Sequence, residues 1–162
     1  MDIWTERLVR RHLPLLECWV RRREGAMTPN DLPREAEKLA AWYEACSADP
    51  GRLDCLVSVY ETPVGLSGLR QHSGQSDTAE LHLLLCELSY NPLRTATYTT
   101  LRMLDHAFLE LGFNRAAVQI YAKHGWYLNV LEQMGFTRTI ELDGLISLSV
   151  EKSVYLDRKY LF

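Results

Sequence analysis

The sequence predicts an α/β fold in which one mixed sheet carries helices on both faces. Three observations predict it. Short runs rich in β-formers recur at 53–60, 64–71 and 78–86. A longer stretch, Arg94 to Leu111, carries apolar residues three and four apart. Strand-like and helix-like stretches then alternate through the second half, as a layered α/β domain requires.

The elements follow in order. Residues 3–9 read as a first strand centred on Thr5-Glu6-Arg7-Leu8-Val9. Pro14 suits the first turn of a helix, and Leu15, Leu16, Trp19 and Val20 follow at helical spacing. Thr28-Pro29-Asn30-Asp31 reads as a turn. Pro33 opens a second helix with Ala36, Leu39, Ala40, Trp42 and Tyr43, ended by Asp49-Pro50-Gly51. The runs 53–60 and 64–71 form a hairpin around Glu61-Thr62-Pro63, and Thr78 to Cys86 completes an antiparallel meander. The helix from Arg94 buries Ala96, Thr100, Met103, Leu104, Ala107, Phe108 and Leu111, and Gly112 caps it. A strand at 115–122, a helix at 126–134 and a closing hairpin of 136–142 with 146–155 complete the order.

At 162 residues the chain fits a single domain, 1–162, with one sizeable core. Net charge −3 and a pI near 6.0 give no nucleic-acid surface. Arg21-Arg22-Arg23 reads as a solvated helix end. Cys18, Cys46, Cys55 and Cys86 make no CxxC pair and no zinc spacing, so no metal is expected. Scattered cysteines without a signal peptide suit a reducing cytoplasm. The apolar run Leu81 to Cys86 is far too short to span a bilayer, so no membrane partner is expected.

Three places could carry chemistry. Glu80 and His82 share one strand face with Leu84. They read either as a proton-passing pair, in which partial burial raises the Glu80 pKa, or as two unrelated polar residues on an exposed face. Asn91-Pro92-Leu93-Arg94-Thr95-Ala96-Thr97 opens the strongest helix. Its N-terminal amides and the Arg94 guanidinium suit an anion, against the plainer reading of an ordinary strand-to-helix turn. His124-Gly125-Trp126-Tyr127 opens the next helix, with Tyr127 able to donate a proton and His124 to bond a ligand, or with a packed aromatic and a cap. Gly65-Leu66-Ser67-Gly68 is no nucleophile elbow, since the spacing fails and no helix follows. The four tryptophans read as core or pocket wall.

Thr5-Glu6-Arg7-Leu8, Val64-Gly65-Leu66-Ser67-Gly68-Leu69, Leu104-Asp105-His106-Ala107-Phe108, Leu111-Gly112-Phe113-Asn114-Arg115 and Leu131-Glu132-Gln133-Met134-Gly135-Phe136 together resemble the GNAT N-acetyltransferases. The style is similar to that of the ribosomal-protein-alanine N-acetyltransferases. The resemblance covers nearly the whole chain and implies a GNAT-like, centrally splayed sheet. It implies acetyl-CoA as co-substrate, its pantetheine paired with backbone at Leu84, Leu85 and Cys86. Its pyrophosphate would lie on the loop of Asn91, Leu93, Arg94, Thr95, Ala96 and Thr97. The family loop reads Gln/Arg-x-x-Gly-x-Gly/Ala; Asn91, Arg94 and Ala96 stand at those positions, and only Ala96 fits. His124 stands where the family often has Asn, Tyr127 where it has Ser, and Leu131 where many members have a tyrosine acid.

The implied activity is acetyl transfer to a primary amine, a protein N-terminus or a small amine. Glu80 would act as base with His82, and Tyr127 is the nearest candidate acid. The helices of Trp19 and Trp42 would wall the acceptor site. The negative charge leans towards a cationic acceptor, and a homodimer stays open. A GNAT-like binding or regulatory domain that has lost catalysis, and transfer of longer acyl groups, stay open as alternatives.

Overall fold

The computed structural model describes residues 2–20 and 26–162, so the Arg21-Arg22-Arg23 reading lies outside the described residues. Strands β1 (Ile3–Arg7), β2 (Arg52–Val59), β3 (Thr62–His72), β4 (Gln75–Leu85), β5 (Arg115–Tyr121), β6 (Thr137–Leu142) and β7 (Leu145–Glu151) form one sheet in the order β1-β2-β3-β4-β5-β7-β6. Helices α1 (Leu13–Trp19), α2 (Leu39–Ala48), α3 (Pro92–Asp105), α4 (Gly125–Gln133) and α5 (Lys152–Arg158) pack around it. The expected mixed α/β architecture is therefore present.

Local sequence explains the turns. Val59 pairs with Thr62 around Tyr60, and Leu142 pairs with Leu145 around Asp143 and Gly144. Asp143 and Gly144 have φ of 52° and 76°, the left-handed pair that a tight hairpin needs. Strands β1 to β4 are all antiparallel neighbours. β4 and β5 are parallel and pair only through Thr78↔Arg115, Ala79↔Ala116 and Glu80↔Ala117. Beyond Glu80 the sheet splays open.

Two cores sandwich the sheet. On one face Leu81, Leu83 and Leu85 meet Ala96, Leu104 and Phe108 of the α3 segment and Tyr127 and Leu131 of α4. On the other, Leu56 and Leu84 meet Leu16 and Trp19 of α1 and Leu39 of α2. Among the described residues no helix is long and apolar enough to cross a membrane.

Several expectations need correction. The helix expected to run to Leu111 changes at its end into a π-helical turn, His106–Glu110, closed by the Leu111 N–H on the His106 carbonyl (3.0 Å). The wider turn shifts the helical phase, and Leu111 emerges 52% exposed instead of buried. The last strand stops at Glu151, and the Tyr155 region expected as strand is α5. There Tyr155 stacks against Phe108 at 5.5 Å and donates to Asp105 Oδ1 (2.9 Å). Gly135 allows that approach: its φ is +105°, and a Cβ there would lie 2.7 Å from Val154 Cγ1. Trp4 is 59% exposed on the edge strand β1, neither core nor a closed pocket wall.

Candidate active site

Alternation along β4 builds the site. Leu81, Leu83 and Leu85 point into the α3–α4 core, while Glu80, His82 and Leu84 point to the α1–α2 face. The backbone alternates too. The Cys86 N–H donates to the Val64 carbonyl (2.7 Å), and the Leu66↔Leu84 pairing in the same register commits Leu84 to β3. Leu83 and Leu85 therefore turn their amides towards the split. Of Leu84, Leu85 and Cys86, the expected pantetheine partners, Leu84 and Cys86 turn to β3, and Leu85 faces the split beside the strap that bridges Leu84 at Ala26. Gly65 makes this close pairing possible, because a Cβ there would collide with the Leu84 carbonyl.

Glu80 and His82 do come together, with Nε2 to Oε1 at 3.2 Å. The His82 Nδ1 lies 2.9 Å from the Pro29 carbonyl. A carbonyl only accepts, so Nδ1 carries the hydrogen and Nε2 faces the carboxylate. Nε2 is buried, and its approach to Glu80 is close but not aligned as a hydrogen bond. The His82 imidazole lowers the Glu80 pKa, and burial opposes it without prevailing. The expected rise is thus corrected to a fall: Glu80 is a ready anion.

The middle of the split holds part of the chain itself. Met27 donates its N–H to the Leu83 carbonyl (3.1 Å) and accepts from the Tyr121 N–H (3.1 Å). Thr28 Oγ1 accepts from the Leu83 N–H (2.9 Å), and Ala26 bridges Leu84. This strap ties β4 to β5, and the Met27 side chain fills the core behind it. The sequence reading of Thr28 to Asp31 as a turn missed the strap, since pairing with a strand 55 residues away leaves no local signal.

The strap is anchored at Asp31. Arg52 NH1 and NH2 reach Asp31 at 2.6 and 2.8 Å, and Arg52 Nε reaches Asp54 at 2.7 Å. Trp42 Nε1 donates to Asp31 (3.1 Å). The Arg52 hydrogen bonds hold the Asp31 carboxyl far below its ordinary range. Trp42 therefore borders a cavity beside His82, whereas Trp19, expected in the acceptor wall, is buried in the core.

At the other end of the split, α3 starts with its own cap. Asn91 Oδ1 accepts from the Arg94 N–H (3.1 Å), and the Thr95 N–H bonds the Asn91 carbonyl (3.0 Å). Pro92 has no N–H. Among these first positions Leu93 keeps the amide for an anion. Arg94 is exposed, with its guanidinium 5.2 Å from the Tyr98 ring centroid. Thr95 and Ala96 are buried in the helix base, and the Thr97 hydroxyl donates to the Leu93 carbonyl (2.7 Å).

His124 and Tyr127 part company. His124 precedes α4 at the lip of the split, edge-on to Trp126, with Nε2 buried and unpartnered. Burial lowers its pKa, so it faces the split as a neutral imidazole. Tyr127 is 0% exposed, and its hydroxyl lies 2.7 Å from Thr100 Oγ1 on α3. Burial pushes its pKa up to about 12. The structure thus places Tyr127 in the core between α3 and α4, away from the position expected of an acid.

These residues fit a CoA thioester in part. The orphaned His124 Nε2 suits a hydrogen-bonding group of an amide-bearing chain, and Leu93 and Arg94 suit a phosphate.

The model of the acetyltransferase (GNAT) domain matches residues 5–137. No curated protein matches the sequence. The spermidine N-acetyltransferase SpeG from Vibrio cholerae, solved with CoA and spermine, superposes with a TM-score of 0.75 at 15% identity, covering 95% of this chain and 98% of that one. A point mutant of the same enzyme gives 0.79 at 16% identity, covering 97% and 98%. Such identities establish a shared fold, and the match over residues 5–137 establishes the family: the chain belongs to the GNAT acetyltransferases.

Proposed function

We propose that this chain transfers an acetyl group from acetyl-CoA to a small primary amine, with the Glu80–His82 pair taking the ammonium proton. The observation that carries this is the pair itself: a carboxylate and an imidazole anchored on the Pro29 carbonyl, 3.2 Å apart, at the point where the sheet opens. The SpeG structure with CoA and spermine supports CoA and a small amine as the two ligands. Acetyl-CoA brings the acetyl group as a thioester. His124, Leu93 and Arg94 would hold it.

The ammonium gives one proton to the pair, directly or through water, and the pair passes it to solvent. The free amine forms the C–N bond as the C–S bond breaks. The second nitrogen proton goes to the departing thiolate. His82, held by Pro29, keeps Glu80 ionised until the amine arrives, so the base is ready at neutral pH.

The test is Glu80→Gln assayed with acetyl-CoA and an amine panel. It lowers kcat by about 10²-fold or more while acetyl-CoA affinity holds. An unchanged kcat removes Glu80 as base. A second reading, a domain that binds CoA without transfer, draws on the strap across the split; CoA binding with no turnover on any amine would select it.

A further inference from the structure

We propose that the acceptor is a polyhydroxylated monoamine, an amino sugar, and not a polyamine. This rests on the reading above of an amine acetyltransferase and names its acceptor class.

The first observation concerns charge. A polyamine carries several ammonium groups, and each one that leaves water needs its own carboxylate. Two cavities flank the Glu80–His82 pair. The one beside His82 contains Asp31 and Asp54, and both are bonded by Arg52. The one beside Glu80 has Glu80 as the carboxylate in its lining, and the nearby Glu151 is held by Arg115 at 2.6 Å. Among the described residues lining these two cavities, Glu80 is the carboxylate that no arginine bonds, and it is the one open to an incoming cation. A single ammonium satisfies it.

The second observation concerns shape and hydrogen bonding. The cavity beside Glu80 is a trough of about 480 Å³ across β4, β5, β7 and β6, within the range of small-molecule sites. Ala117 pairs with Glu80 across the parallel step, and its short side chain leaves the floor hollow. Ser149 pairs with Ala117, and Ser147 pairs with Gln119 one step along. Ser147, Ser149, Thr139 and Gln119 line the trough. Gln119 Nε2 donates to Ser147 Oγ (3.4 Å), and Thr139 Oγ1 donates to the Ser147 carbonyl (3.2 Å). These hydroxyl and amide groups both donate and accept, which matches a ring of hydroxyl groups and gives an extra ammonium no countercharge.

The experiment measures initial rates of acetyl transfer with acetyl-CoA to glucosamine, to cyclohexylamine, and to spermidine. Glucosamine has hydroxyls on a six-membered ring, and cyclohexylamine is its hydroxyl-free counterpart. Glucosamine is expected to exceed both in kcat/KM by at least about 10²-fold, because a site built for hydroxyl groups rejects analogues lacking them. Ser147→Ala with Ser149→Ala is expected to narrow the glucosamine to cyclohexylamine ratio by about tenfold or more, mainly through KM. Preference for spermidine, or equal rates for glucosamine and cyclohexylamine, overturns this inference and leaves the acetyltransferase reading standing. Transfer to none of the three and to no other amine overturns both. The wild-type panel decides the question even where the double variant fails to fold.

Discussion

The two ends of the split are built by opposite means. At the β4 end, Glu80 and His82 are fixed by a strand and by a strap carbonyl, and their polar atoms lie 3.2 Å apart. At the α3 end, the Arg94 and Thr95 amides go to Asn91, which leaves the Leu93 amide and an exposed arginine for a ligand. The β4 end is preorganised. The α3 end offers a point of charge beside the Leu93 amide. Between them the Met27 strap bonds both lips of the split, β4 through Leu83 and β5 through Tyr121. If the proposed function holds, the Arg94 loop and the Glu80–His82 pair report on different parts of the chemistry, affinity in one case and rate in the other.

The sharpest way to break the contrast is at Arg94. Arg94→Glu is expected to weaken acetyl-CoA by about tenfold or more, the effect of losing one charge-assisted contact and adding repulsion. Isothermal titration checks it, and kcat at saturating acetyl-CoA is expected to hold. An affinity within about twofold of the parent would show that the guanidinium does not serve this end.

A smaller effect tests the core between the ends. Tyr127→Phe removes a hydroxyl that meets only Thr100. Stability is expected to fall by about 1 kcal/mol, read from urea unfolding, because Thr100 loses its buried partner. The rate is expected to stay within about twofold. A 10²-fold loss of kcat would instead return Tyr127 to the role of an acid.

Much of this was legible in the sequence, for physical reasons that vary by residue. The β4 alternation put Glu80 and His82 on one face because strand period is a strictly local property. The α3 face was legible through Ala96, Thr100, Met103 and Leu104 for the same reason. The π-helical turn was hidden, since one extra residue in a helical loop leaves the apolar spacing nearly unchanged until Leu111. α5 was hidden because Val154 and Tyr155 suit strand and helix alike, and packing on Phe108 decides between them. The strap, the Asp31–Arg52 anchor and the Pro29 contact were out of reach: each joins segments far apart in sequence. The direction of the Glu80 shift depended on that last contact, which sets the side of His82 that faces the carboxylate.

The smallest expected effect tests that electrostatic coupling through stability. The Glu80 pKa is lowered in the folded chain from its ordinary 4.5, chiefly by His82. A depressed carboxylate stabilises the fold above its unfolded pKa, and that contribution is lost as pH falls through the folded value. The loss therefore begins near pH 4.5 and continues below it. Asp31 shifts in the same direction through Arg52, so the parent chain loses both contributions on acidification. Glu80→Gln removes only the first. Urea unfolding of parent and variant between pH 6 and about pH 3 is expected to show a shallower acid decline in the variant, with the two curves converging at the acid end. Parallel curves would mean that His82 does not favour the Glu80 anion, and the pair would then lose its standing as the ready base at the β4 end.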